Sequence, residues 1–230
     1  LWGSIMCGRF TLKKPNRLRV NGVSDELHAL APRYNIAPSQ EILVVRECES
    51  QREATFVQWG LIPSWSQDGK GIINARVETL EEKRSFSESF SRRRCLILAD
   101  GFYEWERMGK ISQPYYFEMK DSAPFAFAGV WDQWRRGDRS ITSCAIITTT
   151  ANELLAKIHR RMPVILSAES YDLWLSEDSR APDLKEMLIP FPAEEMTSHA
   201  VGYEVNNANV DHEGLLQVVE PNIGVTYSLF

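Results

Sequence analysis

No CxxC pair occurs among the four cysteines (Cys7, Cys48, Cys95 and Cys144), and the four histidines do not gather beside them. That spacing excludes a zinc knuckle, so no metal is expected. The chain also lacks a secretory signal pattern, so reduced, cytosolic thiols are the default. No apolar run approaches the ~20 residues of a membrane span, and no membrane partner is expected. Repeats, low-complexity tracts and a convincing linker are missing as well, which excludes a solenoid or a string of modules. What remains is 230 residues, 43% hydrophobic: one substantial core, or at most two small ones.

The formal net charge of −5 argues against a nucleic-acid partner until it is divided along the chain. Residues 1–161 carry 24 Lys and Arg against 19 Asp and Glu, whereas residues 162–230 carry 2 against 12. A polyanion could therefore dock on the first two-thirds while the tail stays away. Arginines supply much of the excess, and their planar fork suits phosphate and stacks on bases. A merely solvated basic face stays open as the alternative.

Short strand-like runs rich in Val, Ile, Phe, Tyr and Thr recur at Ile42–Arg46, Ala54–Trp59, Cys95–Ala99, Tyr115–Met119, Phe125–Val130 and Ile141–Thr149. Residues 107–110 and 136–138 read as hairpin turns. Helices are expected over Ser24–Leu30, Glu81–Phe90, Asn152–His159 (with Asn152 as N-cap), Ala168–Leu175 and Asp183–Leu188. Strands with helices inserted between them indicate a single α+β domain.

Chemistry concentrates in a few segments. Cys7 follows Met6 directly. A chain that started at Cys7 would carry a thiol and a free α-amine on adjacent carbons, with unperturbed pKa values near 8.5 and 7.7–8.0. That pair attacks an aldehyde twice, first as an imine and then as a five-membered thiazolidine. The other reading is a small buried hydrophobe. Residues 1–5 read as an expression remnant or an upstream extension, and if they stay attached the Cys7 nitrogen is an amide. Asn74, Arg76 and Glu78 alternate in Ile72–Thr79, so on a strand they share a face, as a polar network or a site. Glu104 lies between Tyr103 and Trp105, where desolvation raises a carboxyl and fits it for proton transfer; alternation with Glu106 equally fits a half-exposed strand. His159 precedes Arg160 and Arg161, and Pro163 disfavours helix at Met162, so a turn is expected there. Arg33–Gln40 reads as a loop whose Pro38 could wedge between bases.

Taken in order, Met6-Cys7-Gly8-Arg9-Phe10, Tyr34-Asn35-Ile36-Ala37-Pro38, Trp59-Gly60-Leu61-Ile62-Pro63, Asn74 to Thr79, Gly101-Phe102-Tyr103-Glu104-Trp105 and His159-Arg160-Arg161-Met162-Pro163 closely resemble the SRAP family, the SOS-response-associated peptidases. The resemblance runs from Met6 to about Asn209. It implies a compact α+β domain with a curved, barrel-like, mainly antiparallel β core and peripheral helices, spanning 6–221, with 222–230 a tail. It further implies a monomer without cofactor that crosslinks itself, lyase-like, to abasic sites in single-stranded DNA during the DNA damage response. In that reading Cys7 forms the thiazolidine, Glu104 and His159 move protons, and Asn74 holds the sugar. Arg9, Arg76, Arg161 and Arg84 would contact phosphates, and Pro38 and Trp65 would kink or stack the strand. Two other readings stay open: a thiol autopeptidase with Cys7 as nucleophile, His159 as base and Asn74 or Glu104 as orienter, and a non-catalytic reader of single-stranded or modified DNA.

Overall fold

The computed structural model describes residues 7–17, 19–23, 30–48, 51–109 and 111–221. Its strands in chain order are β1 (Arg9–Leu12), β2 (Arg33–Ile36), β3 (Glu41–Cys48), β4 (Gln51–Trp59), β5 (Asn74–Arg76), β6 (Arg94–Ala99), β7 (Gly101–Met108), β8 (Ile111–Met119), β9 (Phe125–Arg136), β10 (Arg139–Thr150), β11 (Arg161–Pro163), β12 (Ile165–Leu166) and β13 (Met196–Ala200). The α-helices α1 (Ser87–Arg92), α2 (Tyr171–Leu175) and α3 (Ala181–Glu186) are short.

Five strands close into a barrel: β10 pairs β4, then β3, β6 and β9 come in turn, and β9 pairs back to β10. The closure is parallel between β10 and β4, with Cys144 opposite Trp59, and antiparallel elsewhere around the ring. Closure explains the unbroken apolar runs. Ile42 to Val45 and Arg94 to Ala99 are buried on both faces, one toward the barrel interior and the other under covering elements. Gly129 sits between Cys95 and Ile146 in this ring, where an added Cβ would come 2.7 Å from Ile97 Cδ1 and 2.8 Å from Cys95 Sγ. Side chains crowd over that bare backbone, so any larger residue would have to push them aside.

The second sheet, β13-β8-β7-β1-β2, is antiparallel throughout. The chain crosses between the sheets at Asp100, the single residue separating β6 from β7. Its buried carboxylate accepts from Thr11 Oγ1 at 2.6 Å, from Lys14 N at 2.8 Å and from Lys13 N, which fixes the end of β1. Gly101 comes next because a Cβ there would lie 1.9 Å from the Tyr116 hydroxyl. Aromatic edges fill the space between the sheets: Phe10 meets Trp59 at 5.2 Å and Phe127 at 5.8 Å, and Phe102 stacks on Phe117 at 5.2 Å. Arg94, buried without a carboxylate partner among the described residues, donates to the carbonyls of Phe90, Ser91, Trp174 and Ser176 at 2.5–2.9 Å. Those oxygens close α1 and α2, so one cation satisfies two helix ends.

All six expected strands form, and both expected hairpins are paired, with Met108 opposite Ile111 and Arg136 opposite Arg139. The expected helices shrink. The Glu81–Phe90 segment is α-helical only from Ser87, in a helix that runs on to Arg92, with Phe86 and Phe90 buried, and Ala168–Leu175 begins as a 3-10 turn before α2. Asn152 does cap, accepting Leu155 N–H at 3.0 Å, but the element it starts is a single 3-10 turn, Leu155–Lys157. The chain reverses at 158–160, before Met162, because Arg161–Pro163 is drawn into an extended pairing with β10. Arg33–Ile36, read as a loop for its polarity, is strand β2, since Asn35 spends its amide on three carbonyls. The Ser24–Leu30 helix falls, apart from Leu30, outside the described residues, as do residues 1–6 and 222–230. All four cysteines are free thiols. Among the described residues no helix is long and apolar enough to cross a membrane, and no His/Cys/Asp/Glu group could hold a metal.

Candidate active site

The pairing of β1 with β7 sets Arg9 opposite Tyr103 and carries Cys7, two residues earlier, to Glu104. Cys7 N donates to Glu104 Oε1 at 2.5 Å, across 97 residues of sequence. Cys7 holds φ at +41°, in the left-handed region that costs an L-residue roughly 1–2 kcal/mol. Both residues are 1% exposed. Burial pushes the Glu104 carboxyl up to about 8, against the opposing pull of hydrogen bonds from Cys7 N and Trp105 N. The Cys7 thiol is raised well above its ordinary range, first by burial and then by the charge of Glu104. This corner therefore retains protons at neutral pH: a buried acid touches the nitrogen of the one residue whose nitrogen and sulfur could act together.

Arg9, next on β1, donates Nη1 to Gly8 O at 2.9 Å and Nη2 to Asn206 O at 3.5 Å, while its buried Nε has no partner. Burial lowers its pKa, and among the described residues no carboxylate pairs with it. A desolvated guanidinium without a counter-ion favours an anion. Trp105 Nε1 donates to Asn206 Oδ1 at 2.7 Å, so Asn206 joins both residues to the C-terminal segment. That segment is held by Asn35 Nδ2, which reaches the carbonyls of Val205, Asn207 and Val210 at 2.8–3.3 Å.

A second group assembles on β10. In parallel pairing with β5, Ile146 faces Asn74 and Thr148 faces Arg76; on the other side β11 brings Arg161 opposite Thr150. His159 Nδ1 lies 3.1 Å from Arg161 N and 3.2 Å from Arg161 O, so the ring is held against the backbone of Arg161. Glu78 does not share a strand with Asn74 and Arg76 as its alternation predicted. The chain enters a 3-10 turn at Val77–Thr79, which swings Glu78 to Arg161. There its carboxylate takes a two-point grip, with Oε2 2.9 Å from Nη2, and Arg161 hydrogen bonding holds Glu78 below the ordinary carboxylate range. Arg161 also donates to Thr148 O at 2.6 Å.

The two groups meet through the core. Phe10 packs on Trp59, and Trp59 Nε1 donates 3.0 Å to the carbonyl of Ile73, the residue before Asn74. The turn bearing Pro38 is tied to the same strand end: Ser39 N donates to Trp59 O at 2.8 Å, with Ser39 φ at +71°. Trp65 lies farther out, 46% exposed, with the Arg84 guanidinium 4.5 Å over its ring. Arg76 is exposed at the end of β5. Thus Cys7, Glu104 and Arg9 form one direct cluster, Asn74, Arg76, His159 and Arg161 a second, and Trp65 with Arg84 a surface stack. Sequence reasoning missed Asn206, Asn35 and Thr148. Asn35 lay within the Tyr34-to-Pro38 motif, but in a segment read as a loop.

A family model described as SOS response associated peptidase (SRAP) matches residues 6–208. The chain belongs to the SRAP family. Abasic site processing protein YoqW of Bacillus subtilis is 39% identical over 225 residues, covering 92% of this chain and 99% of that one. Abasic site processing protein YedK of Escherichia coli is 29% identical over 224 residues, covering 93% and 100%. The crystal structure of a protein from Bacteroides thetaiotaomicron superposes with a TM-score of 0.81 at 25% identity, covering 93% of this chain and 100% of that one. The barrel with its flanking sheet is thus a fold that this chain shares with a solved structure over nearly its whole length.

Proposed function

We propose that this SRAP protein, once its chain begins at Cys7, captures abasic sites in single-stranded DNA as a thiazolidine and shields them. The observation that carries the reading is the 2.5 Å contact between Cys7 N and the buried Glu104 carboxyl. Relatives named as abasic site processing proteins support the substrate class.

The chemistry rests on the corner's proton economy. An abasic sugar is mostly a closed hemiacetal, so the proton that the Cys7 amine shares with Glu104 passes through the carboxyl to the departing ring oxygen while His159 takes the anomeric hydroxyl proton. The amine of Cys7 then attacks the aldehyde carbon; His159 returns its proton to the new oxyanion, Glu104 takes one from the adduct nitrogen, and Glu104 delivers that proton to the carbinolamine hydroxyl, which leaves as water. The resulting iminium carbon accepts the thiol sulfur, whose proton passes to the carboxylate. The balance is aldehyde plus aminothiol giving thiazolidine plus water. A thiol held high in pKa suits this order, because the amine acts first and the cationic iminium then favours the sulfur's ionisation. Arg9, Arg76, Arg84 and Arg161 serve the phosphates, Asn74 the sugar, and Pro38 and Trp65 the bent or stacked bases. The protein acts as a monomer and shields the lesion by tying up the aldehyde that would otherwise activate strand-breaking elimination.

The test is a denaturing gel. Protein with Cys7 verified as its first residue, mixed with single-stranded DNA carrying one abasic site, should give a heat-stable band; no band ends the proposal. Autopeptidase action is a second reading that one observation favours: with residues still attached ahead of Cys7, Glu104 touches the leaving nitrogen of the peptide bond before it. That reading predicts loss of the leader by intact mass in purified protein and its retention in Glu104→Gln. A non-catalytic reader would give only a salt-sensitive mobility shift.

A further inference from the structure

The hairpin joining β9 and β10 carries arginines that no role assigned above uses. Its turn is the pair Gly137-Asp138, which sets Arg136 directly opposite Arg139, with Arg135 one rung inward opposite Ser140. All three arginines are exposed, and among the described residues none forms an ion pair. Arg135 Nη2 reaches only Gln133 Oε1 at 2.8 Å. Like charges directly opposite on a hairpin are unfavourable, so this rung is better matched to an outside anion than to its own neighbours. Asp132, the nearest buried acid on β9, is already committed to Arg93 at 3.4 Å and to Ser64 N at 2.8 Å.

The same hairpin is fastened to the loop that bears Trp65. Ser64 N donates to Asp132, Trp134 Nε1 donates to Ser66 O at 2.8 Å, and Arg136 Nη1 donates to Gln67 O. Trp65 therefore projects from a loop anchored on both sides of it to β9. At ~3.3 Å per residue, the step from Asp132 to the Arg136–Arg139 rung is about 13 Å, a span that successive phosphates of one strand can follow. An exposed aromatic stack and an arginine rung thus belong to one hydrogen-bonded piece, on which Arg135, Arg136 and Arg139 outweigh the exposed Asp138 of the turn.

We propose that the β9–β10 tip is a second phosphate-contacting surface, which takes the sugar–phosphate backbone of the DNA strand after it leaves the Trp65–Arg84 stack. This rests on the proposed function and extends it, because it makes affinity depend on nucleotides outside the lesion pocket and on one side only. The occupant is polyanionic backbone, and recognition is blind to sequence.

The experiment uses processed protein and single-stranded oligonucleotides with one abasic site: a short one, one extended only 5′ of the lesion and one extended only 3′. Wild type should bind one extended oligonucleotide more tightly than the short one. Arg135→Gln/Arg136→Gln/Arg139→Gln should erase that gain and flatten the plot of log affinity against log salt by about 2, at ~0.7 per phosphate contact on a single strand. Its adduct rate on the short oligonucleotide at saturation should match wild type. Because Arg136 also holds Gln67, Arg135→Gln/Arg139→Gln is measured beside it and should lose about 1.4 of slope. Unchanged slopes with both variants, or equal losses on 5′ and 3′ extensions, overturn the proposal. Failure of wild type to form any adduct with the short oligonucleotide would instead overturn the function on which it rests.

Discussion

Glu104→Gln separates two consequences of one buried proton. In the chain with residues still attached ahead of Cys7, the Glu104 carboxyl rises from its ordinary 4.5 to about 8. The folded state then holds a proton that the unfolded state releases, so stability is complete below the unfolded value and declines as pH rises to the folded one. The window is therefore bounded by 4.5 and about 8. At about 1.36 kcal/mol per pH unit the full span amounts to roughly 5 kcal/mol, an upper bound. Gln carries no such proton and its side-chain oxygen can still accept from Cys7 N. The stability gap between variant and wild type should therefore widen in the variant's favour from pH 5 to pH 8 by several kcal/mol, read from urea unfolding at the two pH values. In protein processed to Cys7 the neighbouring nitrogen becomes an ammonium, which favours the carboxylate, and the widening should shrink. Adduct formation should move oppositely, slowing by roughly 10²–10⁴-fold in the variant while non-covalent DNA binding persists. A stability gap that stays constant across pH refutes the buried-acid argument, and unchanged crosslinking kinetics remove Glu104 from the mechanism.

Cys7→Ala should abolish the adduct on denaturing gels and leave mobility-shift binding in place; a crosslinked band from that variant would sink the role given to Cys7. Glu78→Gln frees Arg161 from a pair worth at most ~1 kcal/mol to stability, so DNA binding should tighten and its salt dependence steepen. Fluorescence anisotropy that shows no change would make Arg161 a structural residue. Asp100→Ala strips acceptors from Thr11 and two backbone N–H groups and should destabilise by about 3 kcal/mol in thermal or urea unfolding. A loss below about 0.5 kcal/mol would mean water replaces the carboxylate there.

The sequence made the barrel strands legible because burial on both faces writes itself as continuous apolar runs, as in Cys95–Ala99. It did not make β1 and β2 legible. Arg33-Tyr34-Asn35-Ile36 looks polar only because Asn35 finds its partners in residues 205–210, far along the chain. Cys7 and Glu104 were each singled out, yet their contact spans 97 residues and no local pattern encodes it. Glu78 shows the opposite failure. Alternation of Asn74, Arg76 and Glu78 predicted one face, and the 3-10 turn at Val77 broke the period after two members. Asn152 was a sound cap for a helix that amounted to one turn, because pairing of 161–163 with β10 outweighed a weak propensity.

The backbone at Cys7 has one more implication. A φ torsion is counted from the carbonyl of the preceding residue, and the penalty at +41° arises from crowding around that carbonyl. Trim the polypeptide so that this nitrogen is terminal, and the angle ceases to exist along with its cost. A chain beginning at this nitrogen would therefore carry one torsional cost fewer than a chain with residues ahead of it.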